Sequence, residues 1–245
     1  MNAKGEMVEI GAPDGRMPAY AVRPEGSGPF PGVIVVMEAF GLNDHVKSVA
    51  ERIAREGYVV VAPDVYYRSD DRVAGYHELP KAIGLMSQLD DRKLVADVRA
   101  VMDWIEARPG VRKGRIGITG FCMGGRIAFL AACHLPVAAA ASFYGGGIGH
   151  VRMPSERTPH APIEDAAGIR APLLIFYGDA DAFVPPEEVS LVRERLEKLG
   201  KEARVIVYPG ADHGFFCDER PSYHEAAAQD SWRKLLSFFD KHLAS

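Results

Sequence analysis

The chain has 245 residues, 47% of them hydrophobic and 25% charged, and its 29 Lys and Arg against 33 Asp and Glu leave a formal charge of −4. That balance fits a globular protein with a sizeable core. Nothing in it suggests a nucleic-acid binder or a protein held on an anionic membrane. Three cysteines, Cys122, Cys133 and Cys217, are too few for a disulfide framework and suit a reducing compartment. No apolar run approaches the roughly 18 residues of a membrane helix, and residues 1–6 carry no secretory apolar core, so a cytoplasmic location is expected.

Two short strands are expected before Arg23, joined by a turn at Ala12, Pro13, Asp14 and Gly15. Residues 24–31 read as a Gly/Pro-rich loop. Residues 32–37 and 58–62 are continuous β-branched runs, the signature of strands buried on both faces in a parallel sheet. Between them Val46, Val49, Ala50 and Ile53 recur at helical spacing, with Asn43 or Asp44 as cap and Gly57 as stop. This order is a parallel crossover unit. A short helix is expected over residues 81–89. A longer one follows, capped by Asp90 or Asp91, with Leu94, Val98, Val101, Met102 and Ile105 on one face. Residues 115–119 are the next strand and residues 126–132 open an apolar helix. Strands follow at 137–144, 173–177 and 205–208, and residues 148–170 read as a surface loop. One helix buries Val189, Val192, Leu196 and Leu199. The last starts near Ser222 and buries Ala228, Trp232, Leu235, Leu236 and Phe239. Strand and helix alternate without a linker or a lid insertion. A single α/β domain over residues 1–245 is expected, with a mostly parallel central sheet flanked by helices.

Between the strand at 115–119 and its helix lies Gly120-Phe121-Cys122-Met123-Gly124-Gly125. A strand, a tight turn of small residues and a helix make a nucleophile elbow, here G-x-C-x-G with a thiol in place of the hydroxyl. In parallel sheets the site lies beyond the C-terminal strand ends. Glu38, Cys122, Asp181 and His213 each follow the end of an expected strand. A thiol needs a base at neutral pH, which points to His213, and the imidazole needs a carboxylate, for which Asp181 and Asp179 compete. The N–H of Met123 and that of Ala39 are the expected oxyanion donors.

These motifs resemble the dienelactone hydrolases of the α/β-hydrolase superfamily. The resemblance rests on Glu38-Ala39-Phe40-Gly41, the elbow hexapeptide, Gly178-Asp179-Ala180-Asp181 with Val184-Pro185, and Asp212-His213-Gly214-Phe215. It implies an α/β-hydrolase fold with Cys122 as nucleophile, His213 as base and Asp181 as its partner. Glu38 is implied to contact the resting thiol and to help deprotonate it when substrate arrives. The implied reaction is hydrolysis of a small carboxylic ester or lactone through a thioester. The family holds a substrate carboxylate with arginines, one shortly after the histidine. Here Cys217 occupies that region and the next arginine is Arg220. Arg68 and Arg72 are the expected substitutes, and Tyr66 and Tyr144 are expected to line the pocket. A general small-ester esterase, a thioesterase, and a silent binding or redox-thiol protein are the competing readings. No cofactor or metal is expected, since no histidine pair has metal-site spacing. The expected partner is a small ester or lactone, with no nucleic acid and no membrane, for a monomer or homodimer.

Overall fold

A computed structural model describes residues 2–151 and 154–244. Eight strands form one sheet in the order β1-β2-β4-β3-β5-β6-β7-β8. β1 (Ala3–Ala12) and β2 (Gly15–Pro24) make an antiparallel hairpin, and β2 pairs antiparallel with β4 (Val59–Pro63). The remaining strands, β3 (Phe30–Val36), β5 (Val111–Phe121), β6 (Ala139–Phe143), β7 (Leu173–Gly178) and β8 (Ala203–Tyr208), run parallel with β4. The molecule is a single-domain α/β fold with a mostly parallel sheet, as its alternating strands and helices imply.

The β-branched residues of β3 and β4 are buried throughout because helices cover both faces. α1 (Asp44–Arg55) links them, capped by Asn43, whose side chain accepts from Val46 N–H at 3.1 Å. α2 (Leu79–Met86) is followed by α3 (Asp91–Glu106), which Asp90 caps. α4 (Met123–His134) leaves the elbow, α5 (Pro186–Lys198) joins β7 to β8, and α6 (Glu225–Phe239) follows β8 and runs into a π-helical turn at Asp240–Ala244. Among the described residues no helix is long and apolar enough to cross a membrane.

The stretch 148–170 departs from its expected surface course; residues 152–153 of it lie outside the described residues. A 3₁₀ turn spans Pro162–Gly168, and Ile148, Ala161, Ile163, Ala166 and Ile169 are buried. Cys133 Sγ on α4 donates to Pro162 O at 3.5 Å, which fastens the turn to the elbow helix. Polar neighbours mask these scattered apolar residues, which have no regular period in the sequence. α6 begins at Glu225 rather than Ser222 because His224 provides the cap, accepting from Ala227 N–H. Trp232, Leu236 and Leu199 are only half-buried. Trp232 instead carries the Arg52 guanidinium on its face at 4.2 Å.

Candidate active site

The C-terminal ends of β3 to β8 lie along one edge of the sheet, so the residues just beyond them meet. Cys122 sits between β5 and α4 with φ 54° and ψ −119°. It and Tyr144, with φ 39° just past β6, are the non-glycine residues at positive φ among those described. Both backbones are held by neighbouring strands, Cys122 N–H by Phe143 O at 3.0 Å and Tyr144 N–H by Phe176 O at 2.7 Å. Strain at such positions persists only where the surroundings over-determine it. The elbow glycines supply the room. A Cβ on Gly120 would lie 2.1 Å from Gly124 O, and one on Gly124 would lie 2.3 Å from Val36 O. Main chain meets main chain at both points, so no side chain fits there.

The imidazole of His213 lies beyond β8. Its Nδ1 is 2.8 Å from Asp181 Oδ2, and the Cys122 thiol hydrogen-bonds to the same ring. Asp181 is fixed in turn, its Oδ1 accepting from Phe183 N–H at 2.7 Å and Val184 N–H at 3.1 Å. Asp179 faces elsewhere and accepts from Gly210 N–H at 2.6 Å. The rings of Tyr144 and Phe183 flank the imidazole, each 5.1 Å away. Burial works against a charged His213. The negative charge of a Cys122 thiolate and the hydrogen bonds to Asp181 and Cys122 outweigh it, raising the imidazole from 6.5 to about 10.

Glu38 follows β3 and is 1% exposed. Its Oε1 accepts from the Tyr144 hydroxyl at 3.1 Å and from Arg220 Nη1 at 3.5 Å, while Oε2 is buried without a hydrogen-bond partner. The carboxylate is thus held by Tyr144 and Arg220, where the family resemblance implied a contact with the resting thiol. Burial first, then the charge of Glu38, raises Tyr144 well above the ordinary tyrosine range, so its hydroxyl is a permanent donor.

Arg220 is the residue that sequence reasoning passed over. The 213–224 loop folds back and brings its guanidinium to Glu38, over the rings of Phe40 and Tyr76. Gly214, at φ +82°, makes this possible: a Cβ there would lie 2.2 Å from Arg220 Nη1. A glycine directly after the histidine was the available signal. Cys217 lies on the same loop, and its Sγ donates to Tyr76 Oη at 3.3 Å. Burial, then Glu38, pushes this thiol up to about 12, so it stays protonated.

The two expected arginines are engaged elsewhere. Arg68 grips Asp97 through Nη1 at 2.6 Å and Nη2 at 2.9 Å, and Asp14 through Nε at 2.7 Å. Asp97 is buried on α3, and Arg68 supplies its counter-charge. Arg72 Nη1 bonds Asp64 Oδ2 at 3.1 Å. Tyr66 is 1% exposed, and its hydroxyl donates to Ala39 O at 3.0 Å. Met123 is the first residue of α4, where N–H groups have no acceptor within the helix, and the Ala39 peptide follows β3 beside it. Among the described residues no group of three His, Cys, Asp or Glu side chains is arranged to hold a metal ion.

A family profile described as the dienelactone hydrolase family matches residues 17–243. The chain belongs to the dienelactone hydrolase family. An Escherichia coli K12 protein named "Putative carboxymethylenebutenolidase" is 40% identical over 229 residues, 92% of this chain and 83% of that one. A crystal structure described as a "Putative Dienelactone Hydrolase" of Klebsiella pneumoniae superposes with a TM-score of 0.92 at 38% identity, covering 98% of this chain and 100% of that one. A Bradyrhizobium protein named "Probable 2-oxo-3-(5-oxofuran-2-ylidene)propanoate lactonase" is 31% identical over 238 residues, 97% of this chain and 94% of that one. The dienelactone hydrolase family has the α/β-hydrolase fold, and this chain is a hydrolase of that family.

Proposed function

We propose that the protein hydrolyses a small carboxylic ester or lactone, with Cys122 as nucleophile, His213 as general base and acid, and Asp181 as the carboxylate that orients the imidazole. The observation that carries this reading is the chain of contacts from Asp181 Oδ2 through His213 to the Cys122 thiol, at a strained elbow opening a helix. The Cys122 thiolate attacks the carbonyl carbon, and the electron pair of the C=O moves onto oxygen. The N–H groups of Met123 and Ala39 stabilise that oxyanion. Collapse breaks the C–O bond to the leaving oxygen, which takes the proton from the His213 imidazolium. In a lactone the leaving oxygen stays attached to the acyl chain, so the intermediate is a ring-opened thioester. Neutral His213 then deprotonates a water that attacks the thioester. The thiolate leaves and the carboxylic acid departs, the proton taken from water remaining on His213.

Arg220 supports a substrate that itself bears a carboxylate. It is the next arginine after His213, and its contact with Glu38 is what supports giving it the role of the arginine that the family carries shortly after the histidine. The lactone named for the Bradyrhizobium relative also bears a carboxylate.

The test is turnover of dienelactone and of p-nitrophenyl acetate by the parent and by Cys122→Ala, with rapid quenching and mass analysis of the intact protein. A transient acyl adduct on Cys122 in the parent, with no turnover in the variant, is expected. Unchanged turnover by Cys122→Ala would remove the nucleophile and the thioester together.

A further inference from the structure

Tyr66 stands beyond the end of β4 and was expected to line the pocket. The structure gives it different neighbours. Its hydroxyl donates to Ala39 O at 3.0 Å and lies 3.3 Å from Met123 Sδ. Ala39 and Met123 are the two residues whose N–H groups face the developing oxyanion in the proposed reaction. One hydroxyl therefore bonds the carbonyl of one of these residues and the side chain of the other. At 1% exposed, Tyr66 offers no open surface to a substrate.

The segment carrying Tyr66 interlocks with the Ala39 loop at further points. Phe40 O, the next carbonyl along, accepts from Ala74 N–H at 3.1 Å. Gly41 lies so close to Arg72 that a Cβ would come within 2.2 Å of Arg72 O. Asp64 ties the segment together, with Oδ1 on Tyr66 N–H and Oδ2 on Arg72 Nη1, each at 3.1 Å. Successive carbonyls of the oxyanion loop are thus held from one side by the connection between β4 and α2. Burial first, then the charge of Cys122, raises Tyr66 beyond the ordinary tyrosine range, so the hydroxyl keeps its proton throughout the working range.

We propose that Tyr66 is a positioning residue for oxyanion stabilisation, its hydroxyl holding the Ala39 loop against the Met123 side chain rather than binding substrate. This rests on the reading of Cys122 as nucleophile. The hole is useful only if both N–H groups already point at the oxygen before charge develops. Without the hydroxyl, Ala39 O has lost its donor. The turn bonds Gly41 N–H to Glu38 O at 3.2 Å and Asn43 N–H to Gly41 O at 2.9 Å still keep the loop folded. What is lost is the anchor of the Ala39–Phe40 peptide, which adjoins the peptide carrying Ala39 N–H, and small displacements at a reacting centre are costly.

The experiment compares Tyr66→Phe with the parent in p-nitrophenyl acetate turnover, in inhibition by a small aldehyde and in alkylation of Cys122 by iodoacetamide. Attack on the aldehyde gives a thiohemiacetal, which places an oxygen in the hole. Alkylation displaces iodide from saturated carbon and creates no oxyanion. The expected result is a fall in kcat on the order of 10-fold or more at unchanged KM, an equal fall in aldehyde affinity, and an unchanged alkylation rate. Turnover within about twofold of the parent overturns the proposal. So does a matching loss of alkylation, which would put Tyr66 on the thiol. If Cys122→Ala keeps its turnover, the underlying nucleophile reading fails instead. Asp64→Ala is the second variant: it leaves the hydroxyl but frees the backbone that carries it. The same selective loss of kcat is expected there, and a change in KM alone overturns the role.

Discussion

One substitution, glycine to alanine, should have opposite effects at two positions. At Gly120 the new Cβ would stand 2.1 Å from Gly124 O and 2.3 Å from Gly124 C, where ordinary contact begins at 3.4 Å. Both obstacles are backbone of the elbow helix, so no rotamer relieves them. α4 must move off β5 by about 1 Å, and Met123 N–H moves with it. A displacement of that size costs on the order of 100-fold in rate. Overpacking of this kind costs about 3 kcal/mol, which lowers Tm by about 6–12 °C for a chain of this length. At Gly84, exposed on α2, a Cβ meets nothing within 4 Å. Alanine there should stabilise by about 0.5–1 kcal/mol, because it restricts the unfolded chain and favours the helix. Thermal melts and p-nitrophenyl acetate kinetics on both variants provide the assay. A Gly120→Ala enzyme with parental Tm and kcat would refute the argument that the strand–helix crossing leaves no room for a methyl group. A Gly84→Ala enzyme of lower stability would refute the α2 packing.

His213 should hold its proton to about 10, and Cys122→Ala should lower that value, since the Cys122 charge is the largest influence raising it; histidine NMR titration measures both. Because the folded-state value lies above the ordinary 6.5, the charged imidazole stabilises the fold fully below 6.5 and ceases to do so as pH rises through about 10. The Tm advantage attributable to the charged ring should fade across that window. Arg68→Ala leaves Asp97 buried without its counter-charge and should destabilise by about 3 kcal/mol with KM unchanged. A raised KM with parental Tm would restore Arg68 to the substrate pocket. Arg220→Ala should raise KM about 10- to 100-fold for an ester bearing a carboxylate, with little change for p-nitrophenyl acetate. Equal effects on the two substrates would mean that Arg220 acts only through Glu38.

The layered fold was legible because its signals are local. The runs at 32–37 and 58–62 became strands buried on both faces, and the apolar positions of α1 and α3 turned inward as their spacing required. The same locality explains the shortfall at 148–170, where buried residues are spread among polar ones without a period. Cys122, Asp181, His213 and Glu38 were readable as a group because each follows a strand, and a parallel sheet carries all such positions to one edge. Their order in the chain therefore already contains their proximity.

Partner choice is another matter. Arg68, Arg72 and Arg220 are similar cations on irregular segments, and nothing in their local sequence separates them. Asp97, buried on α3, claims Arg68; Asp64 holds Arg72 beside the loop that follows β3; Glu38 draws Arg220 across the space left by Gly214. The sequence by itself determined which strands and helices form and which reactive side chains meet at the sheet edge, because backbone periodicity and parallel topology suffice for that. Only the tertiary structure decided which cation meets which carboxylate, and that Tyr66 faces Ala39 and Met123 rather than the pocket. Long side chains go to whichever buried charge or carbonyl the completed packing leaves within reach.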